Sequence, residues 1–115
     1  MIYKLNMGER SILISMLPDK AKKQFGLRVN EAEDALQPTE HEKKVYEFYD
    51  RIDEHGNVIG TGWNPGMALV EAEIEIGESV SDYLAGEFKK LEEAGELPRR
   101  QIPFYEKFVD QAKEA

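Results

Sequence analysis

The segment "LVEAEIEIGES", residues 69 to 79, constrains this chain more than any other. Val70, Ala72, Ile74 and Ile76 alternate with Glu71, Glu73 and Glu75. A period of two puts the apolar set on one face of a strand and the carboxylates on the other, which describes a half-buried strand over 70–76. Gly77 ends it, and the period then changes. Val80, Tyr83, Leu84, Phe88 and Leu91 recur at helical spacing, with Ser79 and Asp82 as the capping pair and Gly95 as the stop. The spacing predicts a helix over 79–94.

Other elements are read in the same way. "MIYKLNM" is an edge strand or an ordered lead-in. Asn6 with Glu9 resembles a capping box, and Ile12, Leu13, Met16 and Leu17 form one helical face before Pro18, so a helix is expected at about 7–17. A lysine-rich connection, "DKAKKQFG", follows. Asn30 with Glu33 repeats the capping pattern ahead of a short stripe of Val29, Ala32 and Leu36 that runs up to Pro38, and Thr39 with Glu42 repeats it again. Pro98 opens a last helix, 99–112, whose apolar face runs through Ile102, Tyr105 and Val109.

The segment "GNVIGTGWNPG", 56 to 66, sets four glycines and a proline around the only tryptophan. Glycine-rich loops cradle phosphates, and they also turn hairpins. Gly66 falls one residue too late for G-x-G-x-x-G, Pro65 removes a donor from the loop, and the following segment reads as a strand. With "EHGN" as a turn signal, the expectation is a hairpin pairing 46–52 with 57–63, and no nucleotide site.

The expected fold is therefore α+β in one domain spanning 1–115. A small antiparallel sheet, the hairpin plus the 70–76 strand, packs against several short helices. Trp63, Ile74, Ile76, Leu84, Phe88, Leu91, Tyr105 and Phe108 are its expected core. The 115-residue length suffices for a single core without metals or disulfides. The absence of cysteine excludes a disulfide framework, a thiol nucleophile and a zinc–thiolate site, and it suits the cytoplasm. No apolar run approaches the ~20 residues of a membrane span.

Charge bears on partners. The net charge is −8: residues 1–30 carry six basic and two acidic side chains, while 67–97 carry two basic and nine acidic. Such acidity opposes sequence-independent binding of nucleic acid, which needs Lys and Arg against phosphate. His41 and His55 lie in charged, turn-rich contexts and read as solvated. Tyr46, Phe48 and Tyr49 are either core or an exposed aromatic platform. No cofactor motif and no trusted reaction site appears.

The Glu71, Glu73 and Glu75 row is the one candidate site. Its carboxylates are about 7 Å apart by strand geometry. Three readings fit: a solvated face, a docking patch for a basic partner reinforced by Glu78 and Asp82, or a hard-cation site completed by another loop. The preferred function is binding of a protein partner without catalysis, with self-association possible. The alternatives are an acidic inhibitor that imitates nucleic acid and a metal-dependent enzyme using the glutamate row.

Taken in order, "ERSILISMLP", the hairpin ending in "WNP", "IEIGESVSDYLAGEFKKLEEAGEL" and "FYEKFV" resemble a group of small phage and prophage proteins. That group shows an E-R-x-x-L-x-x-x-L-P helix, a W-N landmark, an I-G-E helix start and a Y-E-K-F ending. Residues 19 to 55 match it poorly. The group brings no activity with it. The resemblance implies an accessory bacteriophage or prophage protein, either a particle component or a factor acting on a host protein.

Overall fold

In the computed structural model, which describes residues 1–67 and 70–114, the chain opens on a strand, β1 (Ile2–Leu5). Helix α1 (Met7–Met16) follows directly. Its expected capping box is present: the Asn6 side chain accepts the Glu9 N–H at 2.9 Å, and Glu9 accepts the Asn6 N–H at 2.9 Å. Helices α2 (Lys23–Leu36) and α3 (Glu40–Val45) come next, the latter with its own capping box from Thr39 and Glu42. The hairpin is β2 (Tyr49–Ile52) with β3 (Val58–Gly62). A 3-10 turn at Pro65–Met67 leads toward β4 (Ala72–Glu75), then α4 (Glu78–Glu93), a second 3-10 turn, Arg99–Gln101, and α5 (Ile102–Glu114). The α+β class expected from the pattern is the one observed.

The strand pairing differs from expectation. β4 pairs antiparallel with β1, Tyr3 opposite Ile74 and Leu5 opposite Ala72, while the hairpin forms a separate two-stranded sheet. The alternation of β1 explains the choice. Tyr3 and Leu5 are fully buried while Ile2 and Lys4 are exposed, so β1 matches the buried Ile74 and Ile76 face residue for residue. The hairpin offers no such face, because every residue of β2 is exposed.

Over the inner face of β1–β4 lie α1, α2, α4 and α5. Tyr3 stacks on Phe108 with ring centroids 4.8 Å apart, and Phe88 meets Phe104 edge-on at 5.7 Å. The Tyr3 hydroxyl donates to Ser81 Oγ at 3.0 Å, which satisfies both groups inside the core. Burial holds the Tyr3 phenol above its usual range, with the Ser81 hydrogen bond opposing that rise and the Asp82 carboxylate adding to it.

Several local expectations are corrected. Helix α2 begins at Lys23, seven residues before Asn30, which is an exposed mid-helix residue. Its stripe starts at Phe25, whose ring meets Tyr83 at 5.6 Å, and continues through the buried Val29, Ala32 and Leu36. Lysines and Gly26 around Phe25 disguised that start. Ser79 caps nothing: Gly77 is the N-cap of α4, with no side-chain hydrogen bond, and Glu78 sits in the first turn where the helix dipole favours a carboxylate. The stop at Gly95 holds, and its mechanism is visible. Gly95 adopts φ +70, its N–H reaches Glu92 O at 3.1 Å, and Glu96 N–H reaches Leu91 O at 2.8 Å, the paired bonds of a Schellman motif. Among the described side chains of α5 the buried ones are Phe104 and Phe108. Ile102 is exposed, and Tyr105 and Val109 are half-buried. Leu91 and Trp63, both expected in the core, are half-buried and stand outside the core cluster.

Candidate functional site

The glutamate row keeps its outward orientation. Glu71, Glu73 and Glu75 are exposed, with Ala72, Ile74 and Ile76 turned inward. It is not, however, an uninterrupted acidic face. Antiparallel register sets Lys4 opposite Glu73 and Ile2 opposite Glu75. From α5, Lys107 donates to Glu9 Oε1 at 2.8 Å and also to Glu71, linking α1, α5 and the approach to β4. Burial alone would lower the Lys107 pKa, but its hydrogen bonds with Glu71 and Glu9 outweigh that and hold it above its ordinary 10.5. Gln111 accepts the Lys4 backbone N–H at 2.9 Å and so blocks an amide of β1.

Glu78 and Asp82 are elsewhere. They lie on the first turns of α4, in a shallow depression shared with Arg28 and Glu31, whereas Glu71 and Glu75 border a depression with Lys4 and Lys107. The structure therefore divides the five expected partner-binding residues between two surfaces. Among the described residues, no group of three or more His, Cys, Asp or Glu side chains is placed to hold a metal ion. His41 and His55 are both exposed.

The glycine-rich segment turns the hairpin, as its spacing implies. Asp53 Oδ1 accepts N–H groups from His55 and Asn57, each at 2.9 Å, and Gly56 takes φ +82 in that turn. The glycines in β3 have a steric purpose. Tyr49 pairs with Gly62 and Arg51 with Gly60, and a Cβ added at Gly62 would overlap the Tyr49 ring. Side chains of β2 thus lie across the bare backbone of β3.

What this leaves outside includes four large apolar side chains. Tyr49 is 55% exposed, Ile52 60%, Val58 61% and Ile59 66%. Ile52 and Val58 are cross-strand partners, and Ile59 is the extra residue of a bulge, since the register passes from Arg51–Gly60 to Ile52–Val58. A two-stranded hairpin is marginal by itself, so its base must be anchored. Asn64 supplies part of that anchor. Its N–H donates to Tyr46 O at 2.8 Å and its Nδ2 to Glu47 Oε2 at 3.0 Å, beside a left-handed Glu47 at φ 55. A run of rings supplies more, with Tyr46 against Phe48 at 6.4 Å and Phe48 against Trp63 at 5.8 Å. Of the three aromatics weighed from sequence, Tyr46 is buried, Phe48 half-buried and Tyr49 exposed.

Between the hairpin and α1 lies a cleft lined by Phe48, Thr61 and Trp63 on one side and Met7, Ile14 and Leu36 on the other. Arg10 also lines it, at 2% exposure. Its Nε donates to Leu36 O at 2.9 Å and Nη2 to Gln37 O at 2.8 Å, while Nη1 and Nη2 grip Glu42 at 2.7 and 3.1 Å. This clasp ties α1 to the α2–α3 connection that carries the hairpin. Sequence reasoning missed it. The signal was Arg10 in register with the buried Met7 and Leu13, a charge placed inside an apolar stripe.

Among the described residues, no helix is long and apolar enough to cross a membrane. In comparisons with known proteins, the chain matches no family model, no curated protein and no solved structure.

Proposed function

We propose that the protein acts by binding another protein, without chemistry of its own, and that the β2–β3 hairpin is the binding surface. The observation that carries this reading is the exposure of Tyr49, Ile52, Val58 and Ile59 on a sheet whose two strands, among the described residues, pair only with each other. The exposed Ile52–Val58 cross-strand pair and the unpaired strand edges beside it favour burial against a partner. The sequence resemblance adds an origin, an accessory protein of phage or prophage acting inside a bacterial cell. The glutamate row supports this role less well than the hairpin, because Lys4 and Lys107 interrupt its charge and Glu71 is already engaged. A nucleic-acid mimic and a metal-dependent enzyme both need that row free, and they rank below the hairpin for the same reason.

Affinity capture from a bacterial lysate tests the reading when three baits are compared. Wild type and a Glu73→Gln/Glu75→Gln variant are expected to retain the same proteins, and an Ile52→Ser/Val58→Ser variant to lose them. Equal capture by the hairpin variant would overturn the assignment.

A further inference from the structure

We infer that the free edge of β2 accepts an extended segment of the partner as a third strand, and that this segment carries a basic and an apolar residue two positions apart, on one face. The inference rests on the hairpin being the binding surface and adds which edge is used and what chemistry it selects.

The two free edges of the hairpin are not equivalent. β3 bulges at Ile59 and contains Gly60 and Gly62. A bulge breaks the regular spacing of donors and acceptors that an incoming strand requires. Glycines also give that strand no cross-strand side chains to pack against. β2 has neither defect. Its sequence, Tyr-Asp-Arg-Ile, is regular, and all four residues are exposed.

Charge identifies the occupant. Residues 47–62 carry Glu47, Asp50, Asp53 and Glu54 against the single Arg51. Asp50 and Ile52 share one face of β2 by alternation. Arg51 belongs to the other face, where its Cδ lies 3.9 Å from the place a Gly60 Cβ would occupy. On this face an added strand thus meets a carboxylate and then, two residues on, an isoleucine. Opposite charges directly across a strand pair are favourable and like charges are not. A basic residue against Asp50 and an apolar one against Ile52 satisfy both positions, and Asp53 and Glu54 extend the negative field toward the turn.

A second copy of the chain fits poorly. In a two-fold antiparallel pairing, opposed residues must share a face. The registers of greatest overlap then set Asp50 against its own counterpart, or Arg51 against its own.

Titration of the ¹⁵N-labelled chain with a capped peptide of about eight residues, in which Lys and Val take successive odd positions with Thr between them, tests this directly by amide shifts; that length covers an ordinary strand. Its Glu–Val counterpart is the control. The expected result is saturable, fast-exchange movement of the Tyr49–Ile52 amides by the Lys–Val peptide. The Glu–Val peptide should bind about tenfold more weakly, and Asp50→Lys should invert that order, because paired charges decide the preference. Shifts centred on β3 or on β1–β4, equal affinity for the two peptides, or no saturable shift would overturn the proposal. If the peptide fails while lysate capture still depends on Ile52 and Val58, the hairpin binds through its faces and only the edge assignment falls. If capture is also independent of those residues, the functional reading falls with it.

Discussion

Arg10 is a full charge held at 2% exposure, which is tolerable only because Glu42 and two backbone carbonyls surround it. Removing Glu42 would strand that charge. Glu42→Ala is expected to cost about 3 kcal/mol, the lower end for breaking a buried pair, since the Glu42 side chain is itself 18% exposed. Chemical denaturation measures this. The pair also makes a pH statement. The hydrogen bond from Arg10 lowers the Glu42 pKa from its ordinary 4.5 against the opposing effect of burial. A carboxyl whose pKa is depressed by folding stabilises the native state above its unfolded value, and that stabilisation is lost as pH falls through the folded value. Wild-type stability should therefore fall more steeply below pH 4.5 than that of Glu42→Gln, with the two curves converging in acid. Trp63 makes a second test at this scale. Being half-buried and stacked on Phe48, it should cost about 2 kcal/mol when changed to Ala, below the ~3–5 kcal/mol of a fully buried aromatic. Thermal unfolding that shows a full core-sized loss would place the ring inside the core after all.

At the scale of elements, what was legible was local. The Asn6–Glu9 and Thr39–Glu42 capping boxes and the Gly95 stop each depend on residues within a few positions of one another, and each is present. The strand alternation holds over 72–76, while Val70, expected on the buried face, is exposed and lies outside β4. The pairing of β4 with β1 spans about 70 residues, and nothing local encodes it. The same limit hid the Arg10–Glu42 clasp and the division of the five acidic candidates between two surfaces. In sequence Glu71 to Asp82 look continuous, but the turn from β4 into α4 sends Glu78 and Asp82 away. The hairpin and the β1–β4 sheet should differ in local stability for a related reason. One is packed under helices, while the other is held mainly at its base. Hydrogen exchange is expected to show amides of Tyr49–Ile52 and Val58–Gly62 opening well before those of β1 and α4. Uniform protection across both sheets would contradict that division.

Across the whole molecule, helices and the β1–β4 sheet form a body with a continuous aromatic and aliphatic core, and the hairpin is an appendage that the Arg10 clasp and the aromatic run hold against α1. The outer glutamates contribute little to that body. Glu73→Gln/Glu75→Gln should change stability by no more than about 0.5 kcal/mol, as for other exposed charges. Glu9→Ala should cost more, about 1–2 kcal/mol, because Glu9 serves both the α1 capping box and Lys107. The central claim is that the hairpin, and not the acidic sheet face, meets the partner. Its most direct test is a photo-crosslinking side chain placed at Tyr49 in one chain and at Glu75 in another, each irradiated in bacterial lysate. Specific protein adducts from position 49, absent from position 75, are the predicted result; adducts from position 75 alone would contradict it.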